Sequence, residues 1–213
     1  MAEPDTIDEA KAQLRCDVAA GLAGIDPDRR RAAGAAIAER LTRLPAVTEA
    51  DTIMVFLSMP TEVDTWPIIR WAWERGGQVA IPRVERFAPT AEAHDPAAGM
   101  VAVALEPADV ADAGAHPALR PGRFGIPTAP AAAVVPAGDL DVVLVPCVAV
   151  DRQGRRLGRG GGYYDRFLGR PEVRAARIAL AFDAQVRDAV PAGPDDVPVD
   201  RVVTESRVLR FTR

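Results

Sequence analysis

The residues best suited to chemistry lie in one stretch, Arg156-Leu-Gly-Arg-Gly-Gly-Gly-Tyr-Tyr-Asp165, in which four of the five positions from Gly158 to Gly162 are glycine. Glycine lets backbone N–H groups turn inward and approach an anion closely, and a helix starting just afterwards would add its positive end. Arg156 and Arg159 bring guanidinium groups that match phosphate oxygens. Asp165, at the expected helix start, is a candidate magnesium ligand, because magnesium takes one or two carboxylates together with phosphate oxygens and water. The plainer reading of Asp165 is a helix cap. The chemistry expected of the stretch is the cradling of a nucleotide's phosphates.

The spacing fits neither standard phosphate motif. A Walker loop needs Gly-Lys-Ser/Thr after its spacer, and a dinucleotide fingerprint starting at Gly158 would meet Tyr163 where glycine is required. Most short Gly-rich clusters are flexible turns with solvated charges. Here the cluster follows a strand-like run, interleaves arginines with glycines and leads directly into two tyrosines and an aspartate. A second acidic candidate lies in Asp195-Asp-Val-Pro-Val-Asp200, whose plain reading is a solvated loop. Of the 26 Lys and Arg residues only Lys11 is lysine. Taken alone, that lysine reads as a chance survivor on an exposed helix face.

Composition removes several other chemistries. The formal net charge of -4 gives no global basic face for nucleic acid. No apolar run approaches the roughly 20 residues that cross a bilayer, and the acidic start, Met1-Ala-Glu-Pro-Asp, is unlike a signal peptide, so a cytoplasmic protein is expected. Cys16 and Cys147 are too few for a disulfide framework or thiol metal site. His94 and His116 both fall in loop-like sequence without metal-ligand spacing, which argues against zinc and against a Ser-His-Asp triad.

The elements that must position the stretch follow from pattern. Thr6-Ile-Asp-Glu9 is a capping box opening a helix from about residue 7 into the low twenties, carrying Lys11, Leu14 and Arg15. Asp26-Pro27 opens a second helix, with Ala33, Ile37, Leu41 and Leu44 at helical spacing and Pro45 as its stop. Thr52 to Ser58 reads as a strand buried on both faces. A helix around Trp66 to Arg75 ends at Gly76-Gly77, and Gln78 to Pro82 forms the next strand. Residues 83–140 read as largely irregular, with a strand near Met100 to Leu105. Asp141 to Pro146, Ile178 to Phe182, Arg201 to Thr204 and Arg207 to Phe211 complete the strands. Alternating strands and helices argue for a single three-layer α/β/α domain with a mostly parallel central sheet, in which ligands collect at the carboxyl ends of the strands.

With these residues in place the chain resembles the 5-formyltetrahydrofolate cyclo-ligase (methenyltetrahydrofolate synthetase) family over most of its length. Leu144-Val-Pro, Asp151 and the run from Arg156 to Asp165 carry the resemblance most strongly. Supporting stretches keep the family's order: Lys11 to Arg15, Phe56 to Thr65, Ile81-Pro82, Phe124-Gly-Ile-Pro127, Ala181 to Gln185 and Asp196 to Asp200. Cys147 and Val150 stand where the family commonly has glycine and phenylalanine, and Thr128-Ala-Pro130 departs from its usual sequence after Gly-Ile-Pro.

The resemblance implies a fold like that of NagB, RpiA and the CoA transferases. It implies an ATP site made by Lys11, Arg15, Arg156, Leu157, Gly158, Arg159, Gly160, Gly161, Gly162, Tyr163 and Tyr164, with magnesium on Asp165 and Asp196. Leu57, Glu62, Phe124, Arg159 and Tyr163 would meet the folate. A carboxylate such as Glu62 suits a pterin, whose ring offers parallel N–H donors. Arg159 and Lys11 would be the catalytic cations in an ATP-dependent closure of 5-formyltetrahydrofolate to 5,10-methenyltetrahydrofolate, with release of ADP and phosphate, by a protein expected to act as a monomer. Two alternatives stay open: a related fold acting on a sugar phosphate or CoA ester without ATP turnover, and a non-catalytic folate- or nucleotide-binding relative.

Overall fold

Thr6 opens the first helix, α1 (Ile7–Ala23), as its sequence requires: its hydroxyl accepts from the Glu9 N–H while the Glu9 carboxylate accepts from the Thr6 N–H. The computed structural model describes residues 6–86, 98–108, 116–122 and 126–211. Asp26 caps α2 (Pro27–Leu41) by accepting from the Asp28 and Arg29 N–H groups, with Pro27 in the first turn. Pro45 does not stop this helix. It ends at Leu41, and Pro45 instead starts the short α3 (Pro45–Thr48), because a residue lacking N–H costs nothing at a helix's first position.

The strands β1 (Thr52–Met54), β2 (Gln78–Arg86), β3 (Ala98–Ala104), β4 (Val134–Val135) and β5 (Val142–Pro146) follow, with α4 (Trp66–Glu74) between β1 and β2. Gly76 at φ 79° provides the left-handed residue that lets the chain leave α4. After β5 come β6 (Ala149–Asp151), β7 (Arg156–Leu157), α5 (Tyr163–Leu168), β8 (Ala176–Leu180), β9 (Val186–Arg187), β10 (Arg201–Val203) and β11 (Val208–Arg210).

Eight strands form one sheet in the order β11-β10-β8-β5-β1-β2-β3-β4. The strands from β10 to β2 are mutually parallel, and β11, β3 and β4 add antiparallel edges. Two expectations change here. Regular pairing of β1 stops at Met54, although Val55 still donates to the Ala80 carbonyl at 2.8 Å and the chain stays buried through Leu57. Within the stretch read as irregular, β2 runs on to Arg86 and pairs with β3 from Ala80↔Ala104 to Arg86↔Ala98. A second sheet, β7-β6-β9, was not foreseen from the sequence.

The central strands alternate between two cores, which is why they read as continuous apolar runs. Ile53, Val55, Val79, Ile81, Val142, Leu144, Ile178 and Leu180 face one core with Val18 of α1, Ile37 and Leu41 of α2, and Ile68 and Ile69 of α4. Met54, Ala80, Val143, Val145 and Ala179 face the other, with Phe167 and Leu168 of α5. Each fully buried Leu, Ile or Val side chain contributes roughly 1.5–3 kcal/mol, so helices on both faces are held by burial. The sheet is the middle layer of three.

The strand order fixes where a ligand can sit. From β1 the chain crosses to β2 on one side, and from β5 it crosses to β8 on the other, so β1 and β5 flank a switch point in the topology. Ligands bind in such folds at the crevice beyond the carboxyl ends of those strands. The segment with Leu57 and Glu62 leaves β1, and the segment from Cys147 to Asp165 leaves β5.

Candidate active site

The Gly-rich stretch is built on a hairpin and not on one long loop. Arg156 and Leu157 form β7, which pairs antiparallel with β6, and both are buried. Asp151 anchors the turn between them: its carboxylate accepts from the Gln153, Arg155 and Val190 N–H groups and from Arg155 Nε. Only Gly158 to Gly162 is irregular, and Gly160 (φ 103°) and Gly162 (φ 63°) take left-handed conformations that disfavour side chains. Tyr163 then starts α5. That helix has six residues, so the side-chain cations supply most of the positive charge here.

The first helix brings one of these cations to the glycines and another to Asp196. Arg15 Nε donates to the Gly158 carbonyl at 2.9 Å, leaving both of its Nη groups without a partner among the described residues. Lys11 Nζ lies 2.6 Å from Asp196 Oδ2, with side-chain exposures of 16% and 22%. Lys11 is thus no bystander on an exposed face. Asp196 also accepts from the Gly193 N–H at 2.6 Å. Burial alone would raise its pKa, but the Lys11 and Gly193 hydrogen bonds and the charges of Lys11 and Arg156 outweigh it and hold Asp196 below its ordinary value.

Arg156, expected on phosphate, faces inward: its side chain is 3% exposed and Nη2 donates to Asp165 Oδ1 at 2.7 Å. The same oxygen accepts from the Val197 N–H at 3.0 Å, which ties Asp165 to the segment carrying Asp196. Asp165 therefore bonds across the fold and does not cap its own helix. Each of the two carboxylates keeps a second oxygen, Asp165 Oδ2 and Asp196 Oδ1, that accepts no hydrogen bond among the described residues. Hard carboxylate oxygens of this kind, supplemented by phosphate and water, suit magnesium. Among the described residues no three His, Cys, Asp or Glu side chains are grouped to hold a cation by themselves.

Arg159 reaches across to the segment after β1. Its Nε and Nη2 lie 3.1 and 3.0 Å from Glu62 Oε1, while the other Glu62 oxygen accepts from the Met59 N–H at 2.9 Å. Glu62 is 14% exposed and Arg159 51%, so the arginine sits at the mouth and the carboxylate inside. Leu57 is buried in the core beside this segment. Phe124 and His94 lie outside the described residues. His116 is buried against Trp66 and Trp73, with Nε2 at the Glu106 carbonyl and Nδ1 accepting from the Ala118 N–H, a structural role.

Two polar atoms of the site are buried without a partner among the described residues, Arg156 Nε and the Tyr164 hydroxyl. Burial, reinforced by Glu62 and opposed by Arg156, pushes the Tyr164 hydroxyl well above its ordinary range, so it remains a donor. Each such orphan costs about 1–3 kcal/mol, a debt that a bound ligand can relieve. The sequence missed one further contributor, Arg166, whose Nη2 donates to the Gly161 carbonyl at 3.1 Å and whose guanidinium carbon lies 5.1 Å from the Tyr163 ring centre. Its i,i+3 spacing from Tyr163 on a helix was the signal that could have found it.

Among the described residues no helix is long and apolar enough to cross a membrane. Residues 7–205 match the model of the 5-formyltetrahydrofolate cyclo-ligase family. The chain is 31% identical over 190 residues to 5-formyltetrahydrofolate cyclo-ligase of Escherichia coli K12, covering 88% of this chain and 96% of that one. It is 28% identical over 204 residues to the mouse protein of the same name, covering 94% and 96%. The NMR structure of Aquifex aeolicus 5,10-methenyltetrahydrofolate synthetase superimposes with a TM-score of 0.75 at 26% identity, covering 95% of this chain and 93% of that one.

Proposed function

The chain belongs to the 5-formyltetrahydrofolate cyclo-ligase family, and we propose that its Gly158 to Gly162 loop holds the ATP triphosphate against the folate formyl oxygen. The protein is an enzyme of one-carbon metabolism with 5-formyltetrahydrofolate cyclo-ligase activity, and it uses ATP as the family does. The observation that carries the placement of ATP is the approach of Arg15 and Lys11 from α1 to the glycines and to Asp196.

The chemistry sets what the residues must do. A formamide oxygen is a poor leaving group, so it first takes the γ-phosphoryl group of ATP, releasing ADP. The neighbouring folate nitrogen then attacks the activated carbon, the C–O bond breaks, and phosphate leaves, taking up the proton that the nitrogen loses as the ring closes. No protein nucleophile is needed, and the work is positioning and charge stabilisation. Lys11 and Arg15 bind the phosphates, together with the loop amides and Tyr164. Arg159 stabilises the transferring group and Glu62 receives the pterin N–H donors, while Leu57, Phe124 and Tyr163 are the further residues that the family resemblance assigns to the folate. Arg156 acts from beneath by holding Asp165. Magnesium fits Asp165 and Asp196 through their unused carboxylate oxygens, and when bound it supplies neutralisation of phosphate charge.

This reading takes the enzyme to work as a monomer in the cytoplasm. The test is to mix purified protein with 5-formyltetrahydrofolate, ATP and magnesium and follow the near-ultraviolet absorbance of the methenyl product. Product should form only when ATP is present. Product without ATP, or ATP and folate binding with no turnover, would reject the mechanism.

A further inference from the structure

We propose that Arg166 is a positioning residue for the nucleotide loop, clamping the Gly161 carbonyl from outside and thereby aiming the Gly162 N–H inward. The inference rests on the reading that this loop holds ATP. Three observations support it. Arg166 Nη2 donates to the Gly161 carbonyl at 3.1 Å. The guanidinium lies over the Tyr163 ring, 5.1 Å from its centre, so that Tyr163 fixes the arginine's orientation. The glycines pack against this pair with no room to spare: a Cβ on Gly161 would lie 2.7 Å from the Tyr163 ring, and one on Gly162 would lie 2.8 Å from Arg166 Nη1.

The link to anion binding is the planarity of the peptide. In a trans peptide the C=O and the following N–H point in opposite directions. Holding the Gly161 carbonyl toward Arg166 therefore turns the Gly162 N–H to the opposite side, and that amide has no partner among the described residues. Arg15 does the same for the preceding turn, since its bond to the Gly158 carbonyl points the Arg159 N–H away from it. The loop is thus gripped at two carbonyls by two arginines on different helices. Glycines that could take many conformations are held in one, which lowers the ordering cost that ATP would otherwise meet.

The test uses Arg166→Met, which keeps the apolar stem but loses the donor and the charge, and Arg166→Lys, which keeps a charge and a single donor. In Arg166→Met the KM for ATP should rise about fivefold, the sum of one hydrogen bond and one exposed cation–π contact. The kcat and the KM for 5-formyltetrahydrofolate should stay within about twofold, and Arg166→Lys should recover part of the ATP effect. Amide hydrogen exchange at Gly162 without ligand should be faster in Arg166→Met. An unchanged ATP KM with unchanged exchange overturns the clamp, as does a parallel rise of both KM values with a lowered Tm, which marks general destabilisation. If the parent protein shows no ATP-dependent cyclisation, the functional reading fails, while the exchange comparison still decides whether Arg166 orders the loop.

Discussion

Lys11 and Asp196 meet at 2.6 Å between Nζ and Oδ2, joining α1 to the segment before β10. The pair puts a cation proposed for phosphate on a carboxylate proposed for magnesium, so binding of the nucleotide must exchange these partners. It also makes stability depend on pH. The folded pKa of Asp196 lies below its ordinary 3.8, so as pH falls the unfolded chain takes up this proton first. The contribution is complete above 3.8 and is lost as pH falls through the folded value. Denaturant titrations between pH 6 and 3 should show Asp196→Asn losing less stability on acidification than the parent; parallel curves would remove Asp196 from the account.

Arg159 is half exposed and shares Glu62 Oε1 through two nitrogens. In the proposed mechanism its charge matters most while negative charge builds on the transferring phosphoryl group. Arg159→Ala should lower kcat on the order of 100-fold, the scale seen when one preorganised donor is removed from a transition state. Binding of ATP, measured calorimetrically with a non-hydrolysable analogue, should weaken far less. Equal losses in both would make Arg159 a binding residue only.

Two glycines should respond to alanine in opposite ways. Gly162 sits at φ 63°, where a side chain costs roughly 1–2 kcal/mol, and its new Cβ would press on Arg166. Gly21 lies within α1 with nothing within 4 Å of an added Cβ, so alanine there gains helix propensity, about 0.5–1 kcal/mol. Urea midpoints should fall for Gly162→Ala and rise for Gly21→Ala.

The cysteines should separate by reactivity. Cys147 is buried behind the loop with Sγ directed to the Leu180 carbonyl, and burial, opposed by Arg156 and reinforced by Glu62, pushes its pKa up to about 12. Cys16 is exposed on α1. Alkylation of the native protein at pH 8, followed by mass spectrometry, should label Cys16 alone, and denaturation should open Cys147. Rapid native labelling of Cys147 would mean that the segment after β5 opens readily.

What could be read from the sequence was whatever local chemistry determines. The capping box at Thr6, the helix start at Asp26 and the buried strands were legible because each depends on near neighbours. The glycine run and Asp165 could be named as candidates from residue type and spacing, whereas Lys11, which read alone as a chance survivor, was named only through the family resemblance. The pairings were not. That Lys11 would face Asp196, Arg159 face Glu62, and Arg156 turn inward to Asp165 depends on which segments the strand order brings together. The β7-β6-β9 sheet was hidden because its strands are two or three residues long, too short for alternation to register. Pro45 misled because its missing N–H marks a helix start as readily as a stop.

Asp165 tests whether the acidic pair serves a cation. Its Oδ1 accepts from Arg156 and from the Val197 N–H, and asparagine can keep an acceptor in that place. Asp165→Asn therefore removes charge while leaving an acceptor for much of the cross-link, and the fold should survive with a loss of about 1–3 kcal/mol, because the buried Arg156 keeps a hydrogen bond but loses its counter-charge. The free oxygen is the one proposed for magnesium, and an amide is a much poorer ligand than a carboxylate for so hard an ion. Activity titrated with magnesium at saturating ATP should shift to roughly tenfold higher concentration in the variant, a ligand's worth of about 1.4 kcal/mol. If the two titrations coincide while the variant remains folded, Asp165 is a structural partner of Arg156 and the cation is held elsewhere.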